Sequence, residues 1–100
     1  MKNTATQITK ESHNGFLNLQ PRSVAPEKVV SMLEDYASEG RIIDRKAIHA
    51  MQGKEFDASQ FERMLLAACK GYKALKGHGR LQDADEYSNI FAYLYPLSIK

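Results

Sequence analysis

Apolar residues recur at helical spacing in four stretches of the chain, and residues typical of helix ends bound each stretch. In the first stretch, Pro26 stands where a helix tolerates proline, and Gly40 is placed to end the helix in a left-handed conformation. The apolar positions between them are Val29, Val30, Leu33, Tyr36 and Ala37. The pattern predicts a first helix from about Pro26 to Glu39.

A second, shorter helix is predicted over about residues 45–52. Asp44 is a good N-cap residue, and Ile43 and Ile48 occupy the two positions of a hydrophobic staple around it. Gly53 follows the last turn of this pattern and is expected to close the helix.

The third helix has the clearest end signals. Asp57 is its expected N-cap, and Gln60 stands three residues later, which is the spacing of a capping-box pair. Phe56 and Phe61 are placed as another hydrophobic staple. The apolar stripe of this helix is Phe61, Met64, Leu65, Ala68, Tyr72 and Leu75. Gly71 interrupts it and is expected to weaken the helix by about 1 kcal/mol relative to alanine.

A fourth helix is predicted after the glycine-rich turn at residues 77–79. Asp83 is its expected N-cap, and Pro96 is expected to stop it, because the proline ring clashes with the preceding turn. Its buried positions are Ala84, Tyr87, Ile90, Phe91 and Leu94. Four capped helices with short connections predict an all-α fold, a small four-helix bundle over residues 26–100.

Residues 1–25 are polar and are predicted to form a flexible N-terminal arm, because such a composition buries too little apolar surface to offset its chain entropy. One part of the arm differs from the rest. Asn14-Gly15 is a strong turn signal, and Phe16, Leu17 and Leu19 follow it. We expect these apolar side chains to dock on the helices, so that the arm is either flexible or docked.

The composition limits the class of protein. The chain has 100 residues, a mass of 11.3 kDa and a formal net charge of +2, which suits one domain and does not by itself indicate a nucleic-acid partner. No run approaches the roughly 18 apolar residues of a membrane span, and residues 1–10 lack the apolar core of a secretory signal. We therefore expect a cytoplasmic protein with no membrane partner.

No arrangement of residues indicates catalysis or a metal site. The candidate metal ligands are His13, His49, His78 and Cys69. No two of them have the spacing that places ligands on one helix face. Cys69 has no histidine near it in the sequence to act as a base, and we interpret it as a structural thiol. We expect neither enzyme activity nor a bound metal or cofactor.

Basic residues gather at the end of the third helix and in the loop that follows it. Residues 54–80 carry six basic and three acidic side chains. The gathered cations are Lys70, Lys73, Lys76 and Arg80. Such a cluster is able to contact phosphates, which gives an alternative function as a nucleic-acid-binding regulator. The same cations also compensate the helix macrodipole, so the cluster has a structural interpretation as well.

Protein binding is the interpretation with positive evidence. Tyr93 and Tyr95 lie off the buried stripe of the fourth helix, and Leu66 lies off the stripe of the third. Tyrosines are enriched at interfaces because they bury a large area and keep a polar tip. A small domain also needs its apolar residues for its own core, so core and interface both stay open for these positions.

The sequence therefore predicts a small non-catalytic protein-interaction module, acting as a regulatory adaptor or inhibitor of a larger protein or nucleoprotein complex. Its candidate contact residues are Tyr93, Tyr95 and Leu66. A homodimer through the same apolar surface is a variant of this prediction, and nucleic acid is the alternative partner.

Overall fold

The computed structural model describes residues 24–44 and 46–99, and over these residues the chain is all-α with no strand. Its helices are α1 (Pro26–Ser38), α2 (Lys46–Met51), α3 (Ala58–Gly77) and α4 (Leu81–Ser98). The predicted all-α bundle is thereby confirmed. Residues 1–23 of the predicted arm, with its turn at Asn14-Gly15 and the candidate ligand His13, lie outside the described residues. Within the described part, no helix is long and apolar enough to cross a membrane.

Helix α3 is the centre of the fold, with α1 packed on one side of it and α4 on the other. Helices α1 and α3 run in the same direction, because Glu27 meets Gln60 near their starts and Gly40 meets Ala74 near their ends. Helix α4 returns antiparallel to α3. The short α2 contacts both outer helices and closes one face of this layer.

The predicted signals at the start of α3 and at the end of α1 are confirmed. Helix α2 begins at Lys46, so Asp44 lies one residue before its N-cap position, and the Asp44 carboxylate accepts from the Lys46 backbone N–H (2.9 Å). At the start of α3, the Asp57 carboxylate accepts from the Gln60 backbone N–H (2.7 Å), and the Gln60 side chain accepts from the Asp57 N–H (3.0 Å). The rings of Phe56 and Phe61 meet edge to face with centroids 5.6 Å apart. Gly40 ends α1 with a φ of 66°, a conformation that side chains other than glycine rarely adopt.

The predicted ends of α4 are both wrong. The helix begins at Leu81, so Asp83 lies inside its first turn and accepts from the Arg80 guanidinium (2.8 Å) instead of capping the helix. Pro96 does not stop α4, which continues to Ser98. The proline removes the N–H that would bond the Ala92 carbonyl, and since both residues are exposed, water is able to satisfy that carbonyl.

The core is built from the buried apolar faces of all four helices. Its residues are Val29, Val30, Leu33, Tyr36, Ala37, Ile43, Ala47, Ala50, Met51, Met64, Ala67, Ala68, Leu75, Ala84, Tyr87, Ile90 and Leu94. These positions include most of the predicted stripes. Phe61, Leu65, Tyr72 and Phe91 are instead half-buried at the margin of the core.

Gly71 is a packing position, which corrects the expectation that it is only a weak point of α3. A Cβ at this position would lie 2.5 Å from Cδ1 and from Cζ of Tyr87, well inside contact distance. Tyr87 is fully buried, and its hydroxyl donates to the backbone carbonyl of Arg41 (2.9 Å). The glycine therefore allows the Tyr87 ring to lie directly against the α3 backbone.

An ion-pair network holds α1 against α3. The guanidinium of Arg63 donates to both carboxylate oxygens of Glu34 (2.9 and 2.6 Å) and to Glu27 (3.0 Å). The bonds to Arg63 hold the pKa of the Glu34 carboxyl below its usual value, and bonds to Gln60 and Arg63 do the same for Glu27. The network joins the first half of α3 to two carboxylates of α1 that lie seven residues, or two turns, apart.

Candidate functional site

A shallow apolar groove runs along the boundary between α3 and α4. We call it the α3–α4 groove. Its defining residues are Phe61, Leu65, Leu66, Cys69, Phe91 and Tyr95. The α3 residues come from the outward edge of the apolar stripe and the solvent side next to it, while Phe91 and Tyr95 are one turn apart on α4. The antiparallel packing of α3 and α4 thus brings two separate helix edges into one surface.

Two of the three predicted contact residues, Leu66 and Tyr95, lie in this groove. Leu66 is 58% exposed and Tyr95 is 49% exposed, so both offer apolar surface to solvent. The ring of Tyr95 stacks on Phe91 with centroids 5.8 Å apart and an angle of 10° between the planes. This stack gives the α4 wall of the groove a firm aromatic surface.

The groove consists of two adjoining depressions that share Cys69 and Phe91. Their volumes are about 320 and 210 Å³. Along α3 they extend from Ala58 to Lys73, which is about 22 Å at 1.5 Å per residue. Polar groups line only a small part of either depression, so the site has few groups to orient a small polar ligand and suits apolar side chains.

Tyr93, the third predicted contact residue, lies elsewhere. It is half-buried against the core and is not among the residues that line the groove. Residues two positions apart on a helix point about 200° apart, so Tyr93 and Tyr95 face opposite sides of α4. The structure therefore brings Leu66 and Tyr95 together and separates Tyr93 from them.

The four cations of the predicted nucleic-acid site each have acidic or aromatic side chains near them. Lys70 and Lys73 border a depression between α1 and α3 that also contains the acidic side chains Glu34 and Asp35. The Lys76 ammonium lies 5.5 Å from the centroid of the Tyr72 ring. The Arg80 guanidinium is 2.6 Å from the Asp83 carboxylate. Local acidic and aromatic groups thus surround this basic region.

Cys69 is exposed on the outer side of α3, where it borders the α3–α4 groove. His49 is exposed on α2, and His78 lies in the turn after α3. Among the residues that the structure describes, no group of three or more His, Cys, Asp or Glu side chains is placed to hold a metal ion.

Sequence reasoning missed four residues of the groove. One is Cys69, which was interpreted as a structural thiol. Phe61, Leu65 and Phe91 follow the helical stripes and were therefore assigned to the core. They lie at the edges of those stripes, where a side chain is partly covered by the neighbouring helix and partly open. The available signal was the i, i+4 pair of Phe91 and Tyr95, which places two aromatic rings on one edge of α4.

No family model, curated protein or solved structure matches the chain, so comparison with known proteins does not indicate what the groove binds.

Proposed function

We propose that this protein is a non-catalytic protein-interaction module that binds a larger protein, or a protein of a nucleoprotein complex, through its α3–α4 groove. The observation that supports the proposal is the joint exposure of Leu66 and Tyr95 in one apolar depression. Contiguous apolar surface on a small domain is typical of a contact site, and a stacked aromatic wall is typical of an interaction hot spot. A module of this kind acts as an adaptor or an inhibitor by occupying a surface of its partner.

The shape of the groove indicates the chemistry of the partner segment. A length of about 22 Å accommodates about four turns of an amphipathic helix or six to seven extended residues. Apolar side chains at the centre of the segment would contact Leu66, Tyr95 and Phe91. Glu62 borders one end of the groove and Lys73 the other. A matching segment carries a basic residue toward the Glu62 end and an acidic residue toward the Lys73 end.

The test compares two equally exposed leucines. Leu66→Glu places a charge in the groove, whereas Leu81→Glu places the same charge at the start of α4, away from it. The two side chains are 58% and 59% exposed, so both substitutions should leave the stability within about 0.5 kcal/mol of the native protein. Affinity capture from source lysate with nuclease, followed by mass spectrometry, identifies the bound proteins.

We expect a stoichiometric protein on the native chain and on Leu81→Glu, and its loss from Leu66→Glu. A central hot spot corresponds to about 2 kcal/mol or more, which is about a 30-fold loss of affinity. Equal retention by all three proteins would show that the groove is not the contact. Material that disappears with nuclease would instead favour the nucleic-acid alternative, which stays a prediction, and its affinity should fall steeply with salt.

A further inference from the structure

We propose that the segment Phe16–Leu19 of this chain occupies the α3–α4 groove when no partner is bound. The N-terminal arm would then act as an internal competitor that the partner must displace. The competition rests on the function proposed above, whereas occupation of the groove by the arm is a property of the isolated protein. Three observations support it: the end of the fold at which the described chain begins, the length of chain before that point, and the pattern of apolar residues within it.

The N-terminal segment joins the fold at the end of the helix layer where α3 begins, and the first residue of α3, Ala58, borders the groove. Val24 packs against the core immediately before α1, and Glu27 in the first turn of α1 meets Gln60 in the first turn of α3. Because α4 is antiparallel to α3, its last residues lie at this same end. Ala58 and Ser98 therefore border the groove close to where the N-terminal segment leaves the fold.

The distances allow the segment to reach the groove. Packed helices lie about 8–10 Å apart, so the boundary between α3 and α4 is about 12–15 Å from the axis of α1. Leu19 precedes Val24 by five residues and Phe16 precedes it by eight. Extended chain covers about 17 Å and about 27 Å over these intervals. Residues 20–23 are thus long enough to cross α3, and Phe16–Leu19 would lie along the half of the groove that contains Leu66 and Tyr95.

The apolar pattern of the segment matches an apolar groove. Residues 1–23 contain five large apolar side chains, and three of them, Phe16, Leu17 and Leu19, fall within four consecutive positions. Burial of such side chains is favourable roughly in proportion to the area removed from water. The connection to the fold also holds the segment at an effective concentration of about millimolar. A second copy of the chain at micromolar concentration would compete poorly against it.

Cys69 provides a direct measurement of groove occupancy, because it is the sole cysteine and borders both depressions of the groove. The experiment follows the rate at which a chromogenic aromatic disulfide reagent labels the full-length protein. The variant combines Phe16→Ser, Leu17→Ser and Leu19→Ser, which removes the apolar side chains and keeps the length of the arm. Circular dichroism checks that the helices are unchanged.

A control variant makes the same number of changes elsewhere in the arm, with Thr4→Ser, Thr6→Ser and Ile8→Ser. We expect the Phe16–Leu19 variant to be labelled at least tenfold faster than the native chain, and the control variant to be labelled at the native rate. Leu66→Gln should also accelerate labelling, because it places a polar group where the arm would dock and adds no charge beside the thiol. Leu81→Gln should not.

Equal labelling rates for the native chain and the Phe16–Leu19 variant would overturn the proposal. Protection of Cys69 that increases with protein concentration would also overturn it, since that result identifies a second copy as the occupant. Neither result depends on a partner. If the arm does not occupy the groove, failure of Leu66→Glu to capture the partner protein would still support the groove as a binding site. The two proposals can therefore fail independently.

Discussion

Substitution of Gly71 by alanine tests the packing of α3 against α4. In an exposed helix interior this change is stabilising, because alanine has the higher helix propensity by about 1 kcal/mol. At this position the added methyl would lie 2.5 Å from Cδ1 and from Cζ of the Tyr87 ring. We therefore expect Gly71→Ala to destabilise the protein, which is the opposite of the expectation from propensity.

The size of the effect follows from how little Tyr87 is able to move. Its ring is fully buried, and its hydroxyl bonds the Arg41 carbonyl at 2.9 Å, so a shift of the ring would strain or break that bond. Overpacking a core costs about 1–3 kcal/mol, and a lost hydrogen bond costs about 1 kcal/mol more. Against a propensity gain of about 1 kcal/mol, the net loss for Gly71→Ala is about 1–3 kcal/mol. That loss corresponds to a decrease in Tm of roughly 4 °C or more.

Gly77→Ala is the matched control in the same helix. Gly77 is the last residue of α3, and an added Cβ there would meet no atom within 4 Å. Urea unfolding followed by circular dichroism should give Gly77→Ala a free energy of unfolding equal to or above the native value. The same measurement should give Gly71→Ala a lower value with an unchanged m-value.

The result that would refute this reasoning is a Gly71→Ala protein as stable as the native one. A second variant separates overpacking from other causes. In a Tyr87→Leu background the ring is absent, so the cost of Gly71→Ala should fall. Additive effects of the two substitutions would show that Gly71 and Tyr87 do not interact.

Two predictions concern pH and follow from perturbed side chains. Arg63 keeps the pKa of Glu34 below its usual 4.5, so the ion pair contributes its full stabilisation above pH 4.5 and loses it as the pH falls through the lower pKa of the folded state. Glu34→Gln should therefore reduce the dependence of the free energy of unfolding on pH in this acid range, as measured by urea titration. Burial raises the pKa of Tyr87 above its usual 10.0, so the neutral, buried hydroxyl contributes its full stabilisation below pH 10, and this contribution is lost as the pH rises through the higher pKa of the folded state. Tyr87→Phe should abolish the alkaline loss while lowering stability at neutral pH by about 1 kcal/mol.

The end of α1 and the start of α3 were predictable from the sequence because their signals are local. Asp57 and Gln60 are three residues apart, and each satisfies a backbone N–H of the other without help from the rest of the fold. Gly40 ends α1 for an equally local reason, its positive φ. The all-α architecture follows from these ends and from the helical spacing between them.

The ends of α4 were not predictable in the same way, because they depend on competition between groups. Asp83 has a good capping side chain, but this side chain accepts from the Arg80 guanidinium, and the N-cap of the helix is Arg80, three residues earlier. Pro96 stands in the last turn, where only the exposed Ala92 carbonyl loses its partner. The sign of the Gly71 effect depends on Tyr87, which is sixteen residues away in sequence and reaches Gly71 only through the tertiary fold.

The candidate site shows which part of a surface a sequence is able to specify. Leu66, Tyr93 and Tyr95 are all candidate contact residues because they lie off the helical stripes. Tyr93 and Tyr95 cannot share a face of α4, however, since side chains two positions apart on a helix point about 200° apart. The tyrosine with an aromatic partner one turn away, Tyr95 with Phe91, was therefore the better candidate. No single helix specifies that this edge of α4 lies beside Leu66. That arrangement requires α4 to pack closely and antiparallel against α3, and Gly71 permits the close approach. The groove and the core thus share one determinant, and a variant that pushes α4 away from α3 should weaken binding as well as stability.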